Sequence, residues 1–382
     1  MRADATKTPN QDFDYHIHQF LQMAIEQGAS DLIIKSGAPP ALRIDTEVHK
    51  IDMKDLEPGD TLKLAYDYLD DSTIEQIVED KEEYDGSYTV PDLGRFRVNA
   101  FLQREAVGMV FRPVEEKVMD FDQLNLPDSV EKMPNFERGL VLVTGTTSSG
   151  KSTTVASVVD YINRHMHKHI ITLEDPIEAL HEDKNSIVTQ REIGVDTSNY
   201  KRALKHVLRQ NPDVIVFGEM RDQETVRAAF EAAETGHLVL STLHTKSASN
   251  TVDRVLKFFP KDQQDQIRAL FAEYIRAICS QRLCIRKDTD GRIPAVELMF
   301  NGPTVRKLIR EDRINKLRSA IHQGRKDGMQ TFDQSLVDLV EKGYVSVEEA
   351  KQHSSNPDNF ELYLDDHWPD VDTGVLGDRD LE

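Results

Sequence analysis

One octapeptide constrains this chain more than anything else in it. Gly145-Thr-Thr-Ser-Ser-Gly150-Lys151-Ser152 matches the pattern G-x-x-x-x-G-K-[ST] and lies between the apolar run Leu140-Val-Leu-Val143 and a stretch, 152–163, that reads as helix. Glycines at the two fixed positions let a backbone loop curl so that its N–H groups converge on an anion at a helix N-terminus. A lysine there gives a point charge to the β- and γ-phosphates, and the following hydroxyl is a ligand for Mg²⁺. Gly145, Thr146, Thr147, Ser148, Ser149, Gly150, Lys151, Ser152 and Thr153 are therefore the candidate nucleotide-binding residues, with ATP and Mg²⁺ as expected ligands.

The rest of the chain agrees with that placement. Segments 169–173, 213–217 and 238–242 read as buried strands, and 203–209 and 223–234 as helices. Strands alternating with helices imply a mainly parallel sheet covered on both faces. Each strand is followed by a polar cluster: Glu174-Asp-Pro-Ile-Glu178, Gly218-Glu219-Met-Arg221-Asp222 and Thr242-Leu-His244-Thr245. Ligands of such sheets bind at the carboxyl ends of the strands, so position counts here as much as residue type. Hydrolysis needs a carboxylate that orients or deprotonates water and an acidic group near Mg²⁺. Glu174, Glu178 and Glu219 are the candidates, and which one is the base stays open at this level. Glu219 and Ser152 are the expected metal-shell residues. His244 reads either as a γ-phosphate sensor or as a cap for the next helix, and His237 is weaker. After Asp253 the chain reads as predominantly helical, with capping-box spacing in Thr331-Phe-Asp-Gln334.

Before the loop, 13–114 reads as a small mixed domain: a helix at 18–27, short strands at 31–35 and 41–44, and a hairpin-like series over 86–112. In Arg95-Phe96-Arg97-Val98 charged and apolar residues alternate, as on a half-buried strand. Arg95, Arg97, Arg104 and Arg112 crowd this domain, and Arg191 and Arg221 lie beyond it. Each is a candidate for a neighbour's γ-phosphate or for an ordinary salt bridge. The expected division is a flexible N-terminus 1–12, a domain 13–114, a linker 115–134, an ATPase domain 135–360, and an acidic disordered tail 361–382 with Trp368 as its single tryptophan.

With 47 basic and 67 acidic residues among 382, the net charge is 47 − 67 = −20. That field repels phosphate backbones and argues against nucleic acid as a partner. No run of apolar residues is long enough to span a bilayer, and the polar N-terminus reads as neither signal nor anchor, so a cytoplasmic protein is expected. Cys279 and Cys284, the only cysteines, fit no zinc or redox spacing and read as buried thiols. His165, His167 and His169 alternate as on one side of a strand and read as surface histidines, metal binding being the lesser reading.

Taken together, GTTSSGKST, ITLEDPIE, VTQREIGVDT, NPDVIVFGEMRD and AAETGHLVLSTLHT resemble the Walker A, Asp box, Walker B and His box of secretion-superfamily ATPases. Within it, GASDLIIKSGAPP, GRFRVNAF, LIRED and GMQTFDQ are similar to the type IV pilus retraction motors, the PilT/PilU family, over about 12–364. The resemblance implies a PAS-like α+β domain joined to a RecA-like P-loop domain with a helical C-terminal part, an α/β fold, six copies forming a ring. It implies that Lys151 and Ser152 hold phosphates and Mg²⁺, and that Glu178 is the catalytic carboxylate. Glu219 is then the Walker B glutamate, and His237 and His244 belong to the His box. Arg97 and Arg112, and less securely Arg104, reach nucleotide near a domain or subunit boundary. The implied partners are a homohexamer, a platform protein at the inner-membrane base of the pilus and a paralogous retraction ATPase. The pattern departs from the family at three places. Ser148 replaces a usual glycine, tolerable where φ is negative. Asp31-Leu-Ile-Ile lacks a common histidine, and Thr304-Val-Arg-Lys-Leu-Ile-Arg310 is closer to the PilU paralogue. An accessory ring is therefore kept beside an autonomous retraction motor. A type II secretion or pilus assembly ATPase is opposed by the missing CxxC pairs and the single small domain before the loop. A scaffold ring without useful turnover is opposed by the intact carboxylates, and a DNA translocase by the charge.

Overall fold

The computed structural model describes residues 13–114, 117–360 and Leu364, so the expected N-terminal segment 1–12, Trp368 and nearly all of the acidic tail lie outside the described residues. The chain divides into two compact units. The first holds the residues up to Lys117 together with Asp175–Leu180 and Glu192–Asp196; the second holds Val118–Glu174, His181–Arg191 and the remainder.

The first unit is built on a six-stranded sheet. Its strands are β1 (Asp31–Ile34), β2 (Ala41–Ile44), β3 (Glu47–Lys50), β4 (Tyr84–Val90), β5 (Gly94–Gln103) and β6 (Ala106–Pro113), in the order β3-β2-β1-β6-β5-β4. Every neighbouring pair is antiparallel. The alternation expected in Arg95-Phe-Arg-Val is present: Phe96, Val98 and Ala100 are buried, while Arg97 faces water. The helix Ile17–Glu26 begins one residue earlier than expected because His16 and Gln19 close a reciprocal capping box. Its apolar residues Ile17, Phe20, Leu21 and Ala24 pack with Phe96, Val98 and Phe111 in one core.

The second unit carries the seven-stranded sheet β13-β12-β7-β11-β10-β8-β9. The strands are β7 (Gly139–Gly145), β8 (His169–Glu174), β9 (Ile187–Glu192), β10 (Val214–Phe217), β11 (Leu238–Leu243), β12 (Ile275–Ile285) and β13 (Arg292–Phe300). Strands β12, β7, β11, β10 and β8 run parallel, and β13 is antiparallel to β12. This differs from the predominantly helical reading of the chain after Asp253. The residues of β12 and β13 form a long hairpin that extends the parallel sheet, and helices resume only at Pro303. Ala277, Ile278, Cys279, Ser280 and Gln281 are all buried, so the strand is covered on both faces and shows no two-residue polar alternation. The capping box at Thr331 is formed, with Gln334 accepting from the Thr331 N–H at 3.0 Å. Within the stretch read as a linker, Phe121, Leu126, Val130 and Met133 are buried in the core under β7 and β10, so 118–134 is packed into this unit.

Both cysteines are buried and free. Burial alone pushes the Cys279 thiol up to about 12. The three alternating histidines each find ordinary partners. His165 packs on Tyr161, His167 meets the Asn185 carbonyl, and His169 meets the Asn211 carbonyl and Thr189.

Candidate functional site

The loop Gly145–Lys151 leaves the carboxyl end of β7 and enters the helix Lys151–His165, with Gly150 at its N-cap in left-handed backbone, φ +86°. Gly145 has φ +154°, and a Cβ there would lie 2.3 Å from the Ser149 Oγ and 2.7 Å from the Gln281 carbonyl oxygen. No side chain fits at that position. The first helical turn carries no acidic residue, so no carboxylate of that turn offsets the positive end of the helix dipole. Lys151 is nearly buried, and its Nζ donates to the Thr146 carbonyl at 2.7 Å, across the mouth of the loop. Ser149 is 3% exposed and its hydroxyl has no hydrogen-bond partner, a buried polar atom that an anion's oxygen would satisfy. Ser152 is exposed, its hydroxyl open to a metal ion. The cradle fits a nucleotide phosphate with Mg²⁺.

Ser148 departs from the expectation. Its φ is +61°, so this non-glycine residue sits in the left-handed region where the family has glycine. It is exposed, as are Thr146 and Thr147, so neither packing nor a buried contact imposes the conformation. The turn geometry of the loop does.

Sheet order then places the other candidates. Since β7, β11, β10 and β8 are successive and parallel, the P-loop is followed along one edge by His244 after β11, Glu219 after β10 and Glu174 at the end of β8. Glu219 lies between two side chains: Arg221 Nε donates to it at 2.9 Å and His244 Nε2 is 3.5 Å away. The next helix, Ala248–Lys257, is capped by Ser247, which accepts from the Asn250 N–H, so the cap reading of His244 does not hold and its ring faces Glu219 instead. His237 by contrast closes the end of the helix Gln223–Glu234, with Nδ1 2.9 Å from the Ala232 carbonyl and 3.1 Å from Thr235 Oγ1. It has a structural role. Glu174 accepts from Thr172 Oγ1 at 2.6 Å and from Gln190 at 3.3 Å.

Glu178 belongs with Asp175–Leu180 to the first unit, and its side chain is exposed. That segment is anchored by Glu192, a residue the sequence did not single out. Glu192 is 1% exposed, accepts from the Ile177 N–H at 3.0 Å and from Arg95 at 2.8 Å, and so ties Arg95 to the segment bearing Glu178. Arg97 and Arg112 stand directly opposite each other on β5 and β6. Like charges so placed repel, and Asp31 relieves the strain. Its Oδ1 accepts from Arg112 Nε at 3.0 Å and Nη2 at 2.8 Å, and both arginines stay exposed to water. Asp31 thus does the work of holding Arg112, in a stretch where sequence reading noted only the absence of a histidine. Arg104 lies in the turn between β5 and β6 at φ +48°.

Two further residues were invisible because β12 read as helix. Gln281 donates to Thr154 Oγ1 at 2.8 Å, and its carbonyl crowds Gly145. Thr144 and Ser280 hydroxyls meet at 2.8 Å between β7 and β12. A buried polar Ser-Gln pair within Ile-Arg-Ala-Ile-Cys-Ser-Gln-Arg-Leu-Cys-Ile is the signal that points to them once the run is read as a strand.

A parallel sheet with this loop after an interior strand, carboxylates after two further strands along the same edge and a helix start free of acidic residues defines a P-loop ATPase. Comparison with known proteins agrees. The model of the "Type II/IV secretion system protein" family matches residues 10–352. The "Type IV pilus retractation ATPase PilT" of Pseudomonas aeruginosa is 44% identical over 344 residues, 90% of this chain and 99% of that one. The "Type IV pilus ATPase PilU" of the same organism is 37% identical, covering 91% and 90%. A crystal structure of the pilus retraction motor PilT with bound ADP superposes with a TM-score of 0.85 at 42% identity, covering 91% of this chain and all of that one. The chain belongs to the type II/IV secretion ATPase family and is a retraction-type member of it, with a PAS-like unit before a RecA-like one. Among the described residues no helix is long and apolar enough to cross a membrane.

Proposed function

We propose that this chain hydrolyses ATP in a ring of six copies and uses the energy to retract a type IV pilus by disassembling it into pilins. The observation that carries the reading is the P-loop cradle, with its unpartnered Ser149 hydroxyl and acid-free helix start, in a chain 44% identical to a retraction ATPase. Identity to PilT exceeds that to PilU, 44% against 37%, which favours an autonomous motor over an accessory ring.

In the mechanism that follows, the loop amides and Lys151 hold the β- and γ-phosphates, Lys151 leaving the Thr146 carbonyl to do so. Mg²⁺, held by Ser152 and Glu219, would neutralise charge developing on the phosphate oxygens. Glu178 takes a proton from water as the water oxygen attacks the γ-phosphorus. The bond from that phosphorus to the bridging oxygen breaks, its electron pair stays on ADP, and phosphate leaves. His244 and Arg221 hold the Glu219 carboxylate in place. Arg97, exposed and opposite Arg112, is the arginine available to a phosphate of a neighbouring copy. The force passes to a platform protein at the inner membrane, where the ring docks from the cytoplasm; nucleic acid has no part.

The test is steady-state ATPase activity of wild type beside Glu178→Gln, with the mass of the assembly measured under the same conditions. A positioned general base contributes about 10²–10⁴-fold, so the variant should bind ATP, remain hexameric and lose at least about a hundredfold in turnover. A variant that hydrolyses at the wild-type rate removes Glu178 as the base. A chain that stays monomeric with ATP removes the ring.

A further inference from the structure

On the far side of β12 from the P-loop, three side chains of metal-ligating type converge. Cys284 Sγ, a Glu349 carboxylate oxygen and a His353 ring nitrogen lie within 4.8 Å of one another. Glu349 and His353 are one turn apart on the helix Val347–His353, with Oε1 and Nε2 3.2 Å apart. That separation matches a tetrahedral edge of about 3.3 Å between nitrogen and oxygen ligands about 2.0–2.1 Å from zinc. Two further contacts hold the group in register. The Ile285 N–H donates to that same Glu349 Oε1 at 2.7 Å, a contact outside the ligand set that orients the carboxylate, and Arg282 donates to the His353 carbonyl while its guanidinium stacks 3.8 Å over the Phe332 ring.

We propose that Cys284, Glu349 and His353 bind one Zn²⁺, with water as the fourth ligand. A thiolate, an imidazole and a carboxylate form a donor set suited to zinc and not to Mg²⁺ or Ca²⁺, which take oxygen ligands. The spacing is 284, 349 and 353, which matches no short cysteine motif, so only the fold assembles it. The thiol binds a metal as thiolate, so uptake releases a proton. The ion would fasten the helix Val347–His353 to β12. Gln281, on the opposite face of that strand, donates to Thr154 Oγ1 at 2.8 Å, so the same strand supports the helix that follows the nucleotide loop.

The experiment uses the full chain, stripped with chelator and titrated with Co²⁺ and then Zn²⁺, for wild type, Cys284→Ser and His353→Gln. His353 is half-exposed, so that variant keeps its fold even if the buried cysteine variant does not. Wild type should take up one Co²⁺ per chain with thiolate-to-cobalt charge-transfer absorption in the near ultraviolet, displaced by Zn²⁺. His353→Gln should bind more weakly by more than the roughly 10–100-fold that loss of an outer-shell partner costs, and Zn²⁺ should raise the melting temperature of wild type only. Cobalt at the Mg²⁺ site or on surface histidines gives no thiolate band. A wild type without that band, or equal zinc affinity in wild type and His353→Gln, overturns the proposal.

Discussion

Replacing Ser148 tests whether the nucleotide loop is strained. The residue sits at φ +61° and is exposed, so substitutions there change backbone strain and little else. Left-handed backbone costs an L-residue about 1–2 kcal/mol. Ser148→Gly removes that cost but restores about 0.4–1 kcal/mol of chain entropy to the unfolded state. The net change is a stabilisation of roughly 0–1.5 kcal/mol. Ser148→Val goes the other way, since a branched Cβ makes the same conformation a true outlier and costs about 1 kcal/mol more. The Gly and Val variants should then differ by about 2 kcal/mol, close to thirtyfold in an opening equilibrium. Native-state hydrogen exchange of the nucleotide-free full chain, read in peptides spanning β7 and the helix Lys151–His165, measures this unit without interference from the other. The slowest amides should rank Gly at or above Ser, and Ser above Val. A valine variant as protected as the glycine variant would mean that the loop relaxes freely, and the strain argument fails.

Two other perturbations probe each unit. His181 is held neutral, its pKa lowered to about 4, by burial first, with Asp160 opposing and Lys184 assisting. The unfolded chain therefore binds the extra proton first. Stability conferred by this residue is full above about pH 6.5 and is lost as pH falls toward 4, up to about 3 kcal/mol. Urea midpoints from pH 7 to 4.5 should fall less steeply in His181→Gln, and an unchanged slope refutes the assignment. In the first unit, Asp31→Ala leaves Arg112 facing Arg97 without its carboxylate. Discounting for the exposed Arg112, the loss should be about 1–2 kcal/mol, read as faster exchange in peptides from β5 and β6; no change there sinks the idea that Asp31 relieves their repulsion.

The sequence by itself determined the catalytic class. The P-loop, its flanking strand and helix, and the three polar clusters after β8, β10 and β11 are local patterns whose geometry follows from backbone conformation and a two- or 3.6-residue period. The hairpin series β4 to β6 was legible for the same reason, since one face of β5 meets the core and the other meets water. Tertiary structure decided what local pattern does not encode. Strands β12 and β13 were hidden because burial on both faces erases the alternation that marks a strand. Gln281, Glu192 and Asp31 act on residues 127, 97 and 81 positions away along the chain, at Thr154, Arg95 and Arg112. The sign of φ at Ser148 depends on how the loop closes between β7 and its helix, and residue type alone does not set it. The meeting of Cys284 with Glu349 and His353 likewise arises only when a strand and a helix more than 60 residues apart in sequence are packed together.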